Sequence, residues 1–235
     1  MRGPMVTETG LSAASQGDGE LLTLFGNLDS GNVHKVQMIL ARIGDAYRRV
    51  DVAQTKDEPR QEKFLAINPM GKVPAVLRQD GRVISESGAI LYCFSQGTRL
   101  WPAGTDVQTE VLRWMFFEQY SHEPSLAVMR YLSHFVDDPS LHVERVAELK
   151  PKARRALAVM ESRLRDNEWL AAGNCTIADY ALYPYTRTAD SVGFQSAAFP
   201  GIEKWLARIE SQPEFIPLGS DGAVETLSFA EYFRP

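Results

Sequence analysis

The chain has 235 residues, 44% hydrophobic and 23% charged, with 25 basic against 30 acidic side chains for a net charge of −5. This is an ordinary composition for a globular chain, long enough for one large or two small domains. The lack of any basic run argues against nucleic acid or anionic membrane surfaces as partners, and no apolar stretch approaches the length of a membrane helix. Residues 1–19, rich in Gly, Ser, Thr and Ala, read as a disordered leader. Leu21 to Phe25 is the first strand; Ser30-Gly31-Asn32 opens a helix that buries Val33, Val36, Ile39 and Leu40 and ends at Gly44. Tyr47 to Val52 is a second strand, and this strand–helix–strand unit implies parallel pairing. After a polar loop over 53–60, Gln61 to Ile67 is a short helix. Two cysteines, Cys93 and Cys175, lie far apart in apolar surroundings and read as small buried thiols. Without a CxxC, a dithiol centre or cysteine zinc site is not expected. Cysteine poverty and the absence of a signal segment point to the cytoplasm.

The stretch Asn68 to Leu91 carries the most chemistry. Asn68-Pro69 closes the preceding helix, because the residue before a proline is pushed out of the helical region. Val73-Pro74-Ala75-Val76-Leu77 reads as a buried strand whose proline cannot donate to a ladder, leaving the Val73 backbone free for a ligand. Asp80-Gly81 is the tip of a hairpin, and Val83-Ile84 returns. Glu86-Ser87 opens the next helix, with Ser87 as N-cap over free amides that suit a carboxylate and Glu86 as a carboxylate for an ammonium. Together these complement a peptide's backbone, α-carboxylate and α-amine.

Beyond Gly97 to Gly104 the strand pattern ends. A long helix is expected from Val107 to about Phe135, kinked at Glu123-Pro124. Another is expected from Leu141 to Arg165, bent at Pro151, and Thr176 to Asp179 is a capping box that starts a helix over 180–191. Phe199-Pro200-Gly201 starts a further helix bearing Ile202, Trp205, Leu206 and Ile209. The tail over 217–235 is polar but holds Leu227, Phe229, Tyr232 and Phe233, so it is expected to pack back on the domain. The expected organisation is a leader over 1–19, an α/β domain over 20–96, a linker over 97–105 and an all-helical domain with its tail over 106–235.

The ordered set N-P-x-G-K-V-P, a hairpin, then E-S-x-A-I-L resembles the glutathione-binding half of the cytosolic glutathione S-transferases. The S/T-x-x-D box at Thr176 and the run F-P-G-I-x-x-W resemble their helical half. The resemblance covers about residues 21–215. It implies a thioredoxin-like α/β domain followed by an all-α bundle, glutathione as co-substrate, a small hydrophobic electrophile in the cleft between domains, and a homodimer. It further implies a cis Pro74, Val73 pairing with the cysteinyl backbone of glutathione, and Glu86 and Ser87 holding its γ-glutamyl end. Lys72 is assigned to the glycine carboxylate or nearby backbone, with a solvated surface lysine as rival reading; Arg60, or Lys56 instead, falls where some relatives bind the glycine end.

Glutathione transfer needs a thiolate, which a hydroxyl donor and the positive end of a helix favour. Ser30 stands at that place, and F-G-x-x-x-S resembles the serine-type loop of the phi and theta classes and their bacterial relatives. Ser30 serves equally as an N-cap, and both roles can coexist. Asn32 is a second donor candidate. Tyr120 is assigned to the acceptor pocket. The pair His122-Glu123 lacks ligand spacing and the other histidines are scattered, so no metal is expected. Alternatives in function are glutathione-dependent disulfide or peroxide reduction on the same fold, or a non-catalytic binding protein that kept it.

Overall fold

The computed structural model describes residues 21–53 and 56–234; the expected leader over 1–19 lies outside the described residues. The first strand, β1 (Leu22–Phe25), is buried along its whole length, Thr23 included, as a central strand covered on both faces is. It pairs in parallel with β2 (Tyr47–Val50), from Leu22 opposite Tyr47 to Phe25 opposite Val50. On its other side it runs antiparallel to β3 (Ala75–Leu77), which pairs with β4 (Val83–Ser85). The crossover between β1 and β2 is α1 (Gly31–Ile43), closed by Gly44 at φ 76°, whose N–H reaches the Leu40 and Ala41 carbonyls. A 3₁₀ turn (Glu58–Arg60) and α2 (Glu62–Leu65) lead to β3; α2 is shorter than the expected 61–67 because Asn68 folds its own turn. The Asn68 side chain donates to Lys72 O at 2.7 Å and accepts from Met70 N at 3.3 Å. After β4, α3 (Ser87–Ser95) packs beside α1.

The second half is helical: α4 (Thr105–Phe117), α5 (Glu123–His134), α6 (Val143–Leu164), α7 (Ile177–Arg187) and α8 (Pro200–Glu210). The expected kink is a π turn, Glu118–His122, joining α4 to α5. Pro124 has no N–H to return to the preceding turn and its ring crowds that turn's carbonyl, so one wider turn absorbs the misfit. Pro151, by contrast, lies inside α6, which stays continuous through it. The mixed sheet with flanking helices and the helical bundle are the α/β thioredoxin-like plus all-α architecture that the sequence implied.

α7 is the buried axis of that bundle: every residue from Ile177 to Thr186 is buried. The capping box forms, and Asp179 takes four donors: Thr176 N at 2.8 Å, Thr176 Oγ1 at 3.0 Å, Leu170 N at 3.1 Å and Trp205 Nε1 at 2.9 Å. The start of α1 lies against this helix so closely that a Cβ on Gly31 would sit 2.7 Å from the Tyr185 ring.

The tail differs from expectation in where it packs. It leaves the helical half, passes along α1, and adds a strand, β5 (Thr226–Leu227), in parallel to β2, giving the sheet order β4-β3-β1-β2-β5. An uncovered β2 edge would present unpaired backbone groups, and the tail supplies their partners. Arg49 N donates to Glu225 O and Asp51 N to Leu227 O, both at 2.8 Å. A last turn, α9 (Phe229–Tyr232), then brings Tyr232 against Phe25 at 5.1 Å between ring centres, and Phe229 against Phe233 at 4.6 Å.

Two stability measurements follow. Asp179→Ala strands three buried N–H donors at once and is expected to cost on the order of 4 kcal/mol, read as a lowered urea midpoint. Phe229→Ala empties the tail's clasp on the sheet and is expected to cost about 3 kcal/mol; an unchanged midpoint would show the tail contributes nothing to the fold.

Candidate functional site

Two helix N-termini meet beneath the helical half. At α1, Ser30 is the N-cap: its Oγ accepts from Val33 N at 3.3 Å and its backbone lies in the extended region. That bond uses a lone pair, so the hydroxyl proton remains available; the capping and donor roles are chemically compatible. At α3 the N-cap is Glu86, not Ser87 as the sequence predicted. Glu86 adopts φ 68°, a conformation rare for a residue with a side chain, and remains exposed. Ser87 instead is the first helical residue, buried, and its Oγ donates to Asn32 Oδ1 at 3.1 Å. The helix starts one residue earlier than a serine cap would have it because Ser87 is drawn to α1.

The Val73–Pro74 peptide is cis. Because Ala75 pairs with Phe25, Val73 and Pro74 lie just beyond the ladder, beside the loop that runs from Phe25 to Ser30. Ser30, Asn32, Val73, Pro74, Glu86 and Ser87 thus belong to one end of the sheet and its two helix starts. Lys72 is exposed, its carbonyl held by Asn68. Arg60 is 80% exposed and pairs with Asp57 at 3.4 Å. Lys56 is also exposed, in the same loop. Tyr120 is 87% exposed on the outer side of the π turn, whose Glu118 and His122 take the inner side. Among the described residues no recorded contact joins Tyr120, Arg60 or Lys56 to Ser30, Asn32 or Ser87.

Sequence reasoning missed the charged cluster below Asn32. Lys35, one turn along α1, is 1% exposed, with Nζ 2.7 Å from Glu118 Oε1 and 3.2 Å from Glu123 Oε2. Gln119 Nε2 donates to both carboxylates, at 2.9 and 3.1 Å. Glu123 Oε1 accepts from Asn32 Nδ2 at 2.9 Å. Burial opposes the charge on Lys35, yet the two carboxylates prevail and its affinity for the proton rises. Of the two acids, burial pushes Glu118 up, whereas for Glu123 the Lys35 charge and the bonds from its neighbours outweigh burial and hold it down. The only sequence signal here was the acidic residue beside His122.

His122 feels the charges of this cluster but hydrogen-bonds outside it. Its Nε2 lies 2.8 Å from Thr186 Oγ1, whose own proton goes to Leu182 O, so Nε2–H is the donor. Burial lowers its pKa to about 3. His34 is similar: burial lowers it to about 4, and Nε2 bonds the Ile216 carbonyl of the tail at 2.7 Å.

A cavity of about 640 Å³ opens between α5, α7 and the tail, lined by Arg130, Phe135, Tyr183, Phe215, Pro217 and Leu218. Arg130 Nη1 donates to Asp29 O at 2.8 Å, which ties this wall to the loop ending in Ser30. The cavity thus lies further along α5 than Tyr120. Cys93 and Cys175 are half-buried free thiols, and burial pushes the Cys175 thiol up.

A thioredoxin-like sheet carrying a helical bundle, with a cis-proline loop beside two helix N-termini, is the architecture of the thioredoxin-fold transferases. Residues 20–93 match the family model "Glutathione S-transferase, N-terminal domain" and residues 125–213 match "Glutathione S-transferase, C-terminal domain". A crystal structure of glutathione S-transferase from Pseudomonas fluorescens is 37% identical with a TM-score of 0.82, covering 85% of this chain and 99% of that one. The chain belongs to the glutathione S-transferase family. "Disulfide-bond oxidoreductase YfcG" of Escherichia coli is 28% identical over 189 residues, covering 77% of this chain and 87% of YfcG. "Transcriptional regulator URE2" of Saccharomyces cerevisiae is 27% identical over 234 residues, covering 83% of this chain and 66% of that protein, so the chain spans about two thirds of that relative's length. A structure of Ure2p in complex with glutathione is 26% identical with a TM-score of 0.77, covering 85% of this chain and 98% of that one.

The buried histidines set a pH response. An unfolded imidazole takes a proton near 6.5, but folded His34 resists it until about 4. Across that window the unfolded state binds more protons, so this group's contribution is intact above about 6.5 and is lost as pH falls toward about 4. His34→Gln, which keeps a donor for Ile216, is expected to flatten the fall of stability between those pH values by up to about 1.4 kcal/mol per pH unit, measured by urea unfolding at stepped pH.

Proposed function

We propose that this chain is a glutathione transferase of the serine type, in which Ser30 donates its hydroxyl proton in a hydrogen bond to the glutathione sulfur. The observation that carries this reading is the state of Ser30: it caps α1 through a lone pair, keeps its proton, and sits where the helix's unpaired N–H groups favour an anion. Asn32 is the second donor. Val73, beside Pro74, pairs with the cysteinyl backbone. The backbone N–H groups at the start of α3, that of Ser87 among them, take the γ-glutamyl carboxylate, and the ammonium goes to Glu86 and to the lone pairs of Ser87 Oγ, whose proton is held by Asn32. The positive φ of Glu86 supports this assignment, because backbone strain of this kind costs about 1 kcal/mol or more and is kept where the fold needs a side chain aimed. Lys72, with Arg60 or Lys56, serves the glycine end, each within a side chain's swing of solvent.

The reaction is then a displacement or addition. The sulfur lone pair forms a bond to an electrophilic carbon, and the electron pair of the broken bond leaves with the departing group or is protonated. The apolar wall of the cavity, Phe135, Tyr183 and Phe215, is assigned to a hydrophobic electrophile, with Arg130, Arg187, Asp190 and Glu210 left for its polar substituents; Arg130 joins the cavity to the Ser30 loop through Asp29. The similarity to a disulfide-bond oxidoreductase supports a second reading: the same thiolate attacks a disulfide, with glutathione supplying both thiols. We also place the protein in the cytoplasm as a homodimer. The exposed row Leu112, Phe116 and Tyr120 on α4 and the π turn supports a second copy as its cover.

Calorimetry with glutathione on the wild type and Glu86→Ala tests the site; binding that the substitution abolishes is the expected result, and no binding by the wild type would overturn it. In Ser30→Ala, the pH at which bound glutathione ionises, read from thiolate absorbance, is expected to rise by about one to two units. An unchanged ionisation would reduce Ser30 to a cap.

A further inference from the structure

Asn32 is held at both ends, by groups from different halves of the molecule. Its Nδ2 donates to Glu123 Oε1 at 2.9 Å, and its Oδ1 accepts from Ser87 Oγ at 3.1 Å. Turning the amide over would set its oxygen against a carboxylate oxygen, so Glu123 decides which end faces α3. Glu123 is in turn not free to move. Its other oxygen accepts from Lys35 Nζ and Gln119 Nε2, and Lys35 is anchored on Glu118. The result is a continuous line of hydrogen bonds from a buried ammonium to the first residue of α3.

We propose that Glu123 is a positioning residue for the glutathione site, acting through the Asn32 amide; this rests on the reading of Ser30 and Asn32 as the thiolate donors. With one N–H spent on Glu123 and the oxygen spent on Ser87, Asn32 has one N–H left, and it is this proton that meets the sulfur. The same line sets the state of Ser87. Its hydroxyl proton goes to Asn32, so its lone pairs face the glutathione ammonium while the backbone N–H groups of α3 face the carboxylate. A carboxylate is the side chain that fits position 123, because two donors, Asn32 and Lys35, each require an oxygen there. A glutamine has one oxygen and must turn its N–H₂ toward either Lys35 or Asn32, donor against donor. The π turn contributes by bringing Glu118 and Glu123, five residues apart, onto the same ammonium.

The test is thiolate absorbance of bound glutathione against pH in wild type, Glu123→Gln, Asn32→Ala and the double variant, with calorimetry of glutathione binding and thermal unfolding alongside. Glu123→Gln is expected to raise the ionisation pH of the bound thiol by about half a unit or more, a shift of roughly threefold in the ionisation constant. The double variant is expected to match Asn32→Ala alone, because both act through one amide. Glu123→Asp keeps a charge for Lys35 but draws back from Asn32; it is the second variant if Glu123→Gln loses its fold, and it is expected to show the same shift. A lowered melting temperature with an unmoved thiol ionisation would overturn the proposal and leave Glu123 a packing residue. Additive effects in the double variant would overturn it as well, since Glu123 would then act by another route. Wild-type protein that fails to bind glutathione would sink the functional reading itself, and this proposal with it; binding with an unmoved ionisation in Glu123→Gln sinks the proposal alone.

Discussion

The ammonium of Lys35 is sealed from water, and much of the site depends on how it is neutralised. It projects from α1 one turn beyond Asn32, in the half of the chain that forms the sheet, and its carboxylates come from the π turn and α5 in the other half. A buried charge without its partner costs about 3–5 kcal/mol, so α1 cannot sit in place unless the helical bundle is docked. Two carboxylates meet one ammonium, and the surplus negative charge is shared among N–H donors from Asn32 and Gln119. The acid that touches Asn32 stays ionised while burial raises the other. An asymmetric trio of this kind gives the amide of Asn32 a fixed direction, which a neutral pair would not.

The same helix is gripped on a second side. His34 and Gln37 reach the tail carbonyls of Ile216 and Ser220, and the tail goes on to close the sheet edge at β2. Gly31 lets the start of α1 lie directly on Tyr185 and Pro184 of α7. Close approach, a buried ion trio and a strap of chain therefore act together on one helix, and the N-terminus of that helix carries Ser30. Under the proposed role of Ser30, a hydroxyl donating to a sulfur benefits from rigid support, because small displacements weaken such bonds steeply.

Much of the site was legible because its signals are local. A serine before a helical run, a proline at the mouth of a strand and an Asp-Gly hairpin each act on their immediate neighbours, and Ser30, Pro74 and Gly81 stand where those rules put them. The box at Thr176 was legible for the same reason, although its bonds to Leu170 and Trp205 were not. Ser87 shows where local rules fail. It has every attribute of an N-cap, yet its hydroxyl found a better partner in Asn32, 55 residues away, and Glu86 took the cap position at positive φ. Lys35 and Glu118 gave no warning, and Glu123 only as the neighbour of His122, since charged residues on helices are ordinarily solvated faces. Their contacts span 83 and 88 residues. The strand at Thr226–Leu227 was hidden as well, for two residues carry no periodicity.

What the sequence by itself determined is the order and kind of elements, the hydroxyl at the start of α1, and the proline loop and helix start at the same end of the sheet. These follow from backbone sterics and capping, which are settled within a few residues. What only the tertiary structure decided is the direction of the Asn32 amide, the burial of Lys35 between two acids, the outward stance of Tyr120, and the path of the tail to the sheet edge. Those are matters of which distant group arrives to satisfy a charge or a backbone edge. The free energy of a buried ion or an unpaired edge depends on its surroundings, so no reading of neighbours along the chain can supply it.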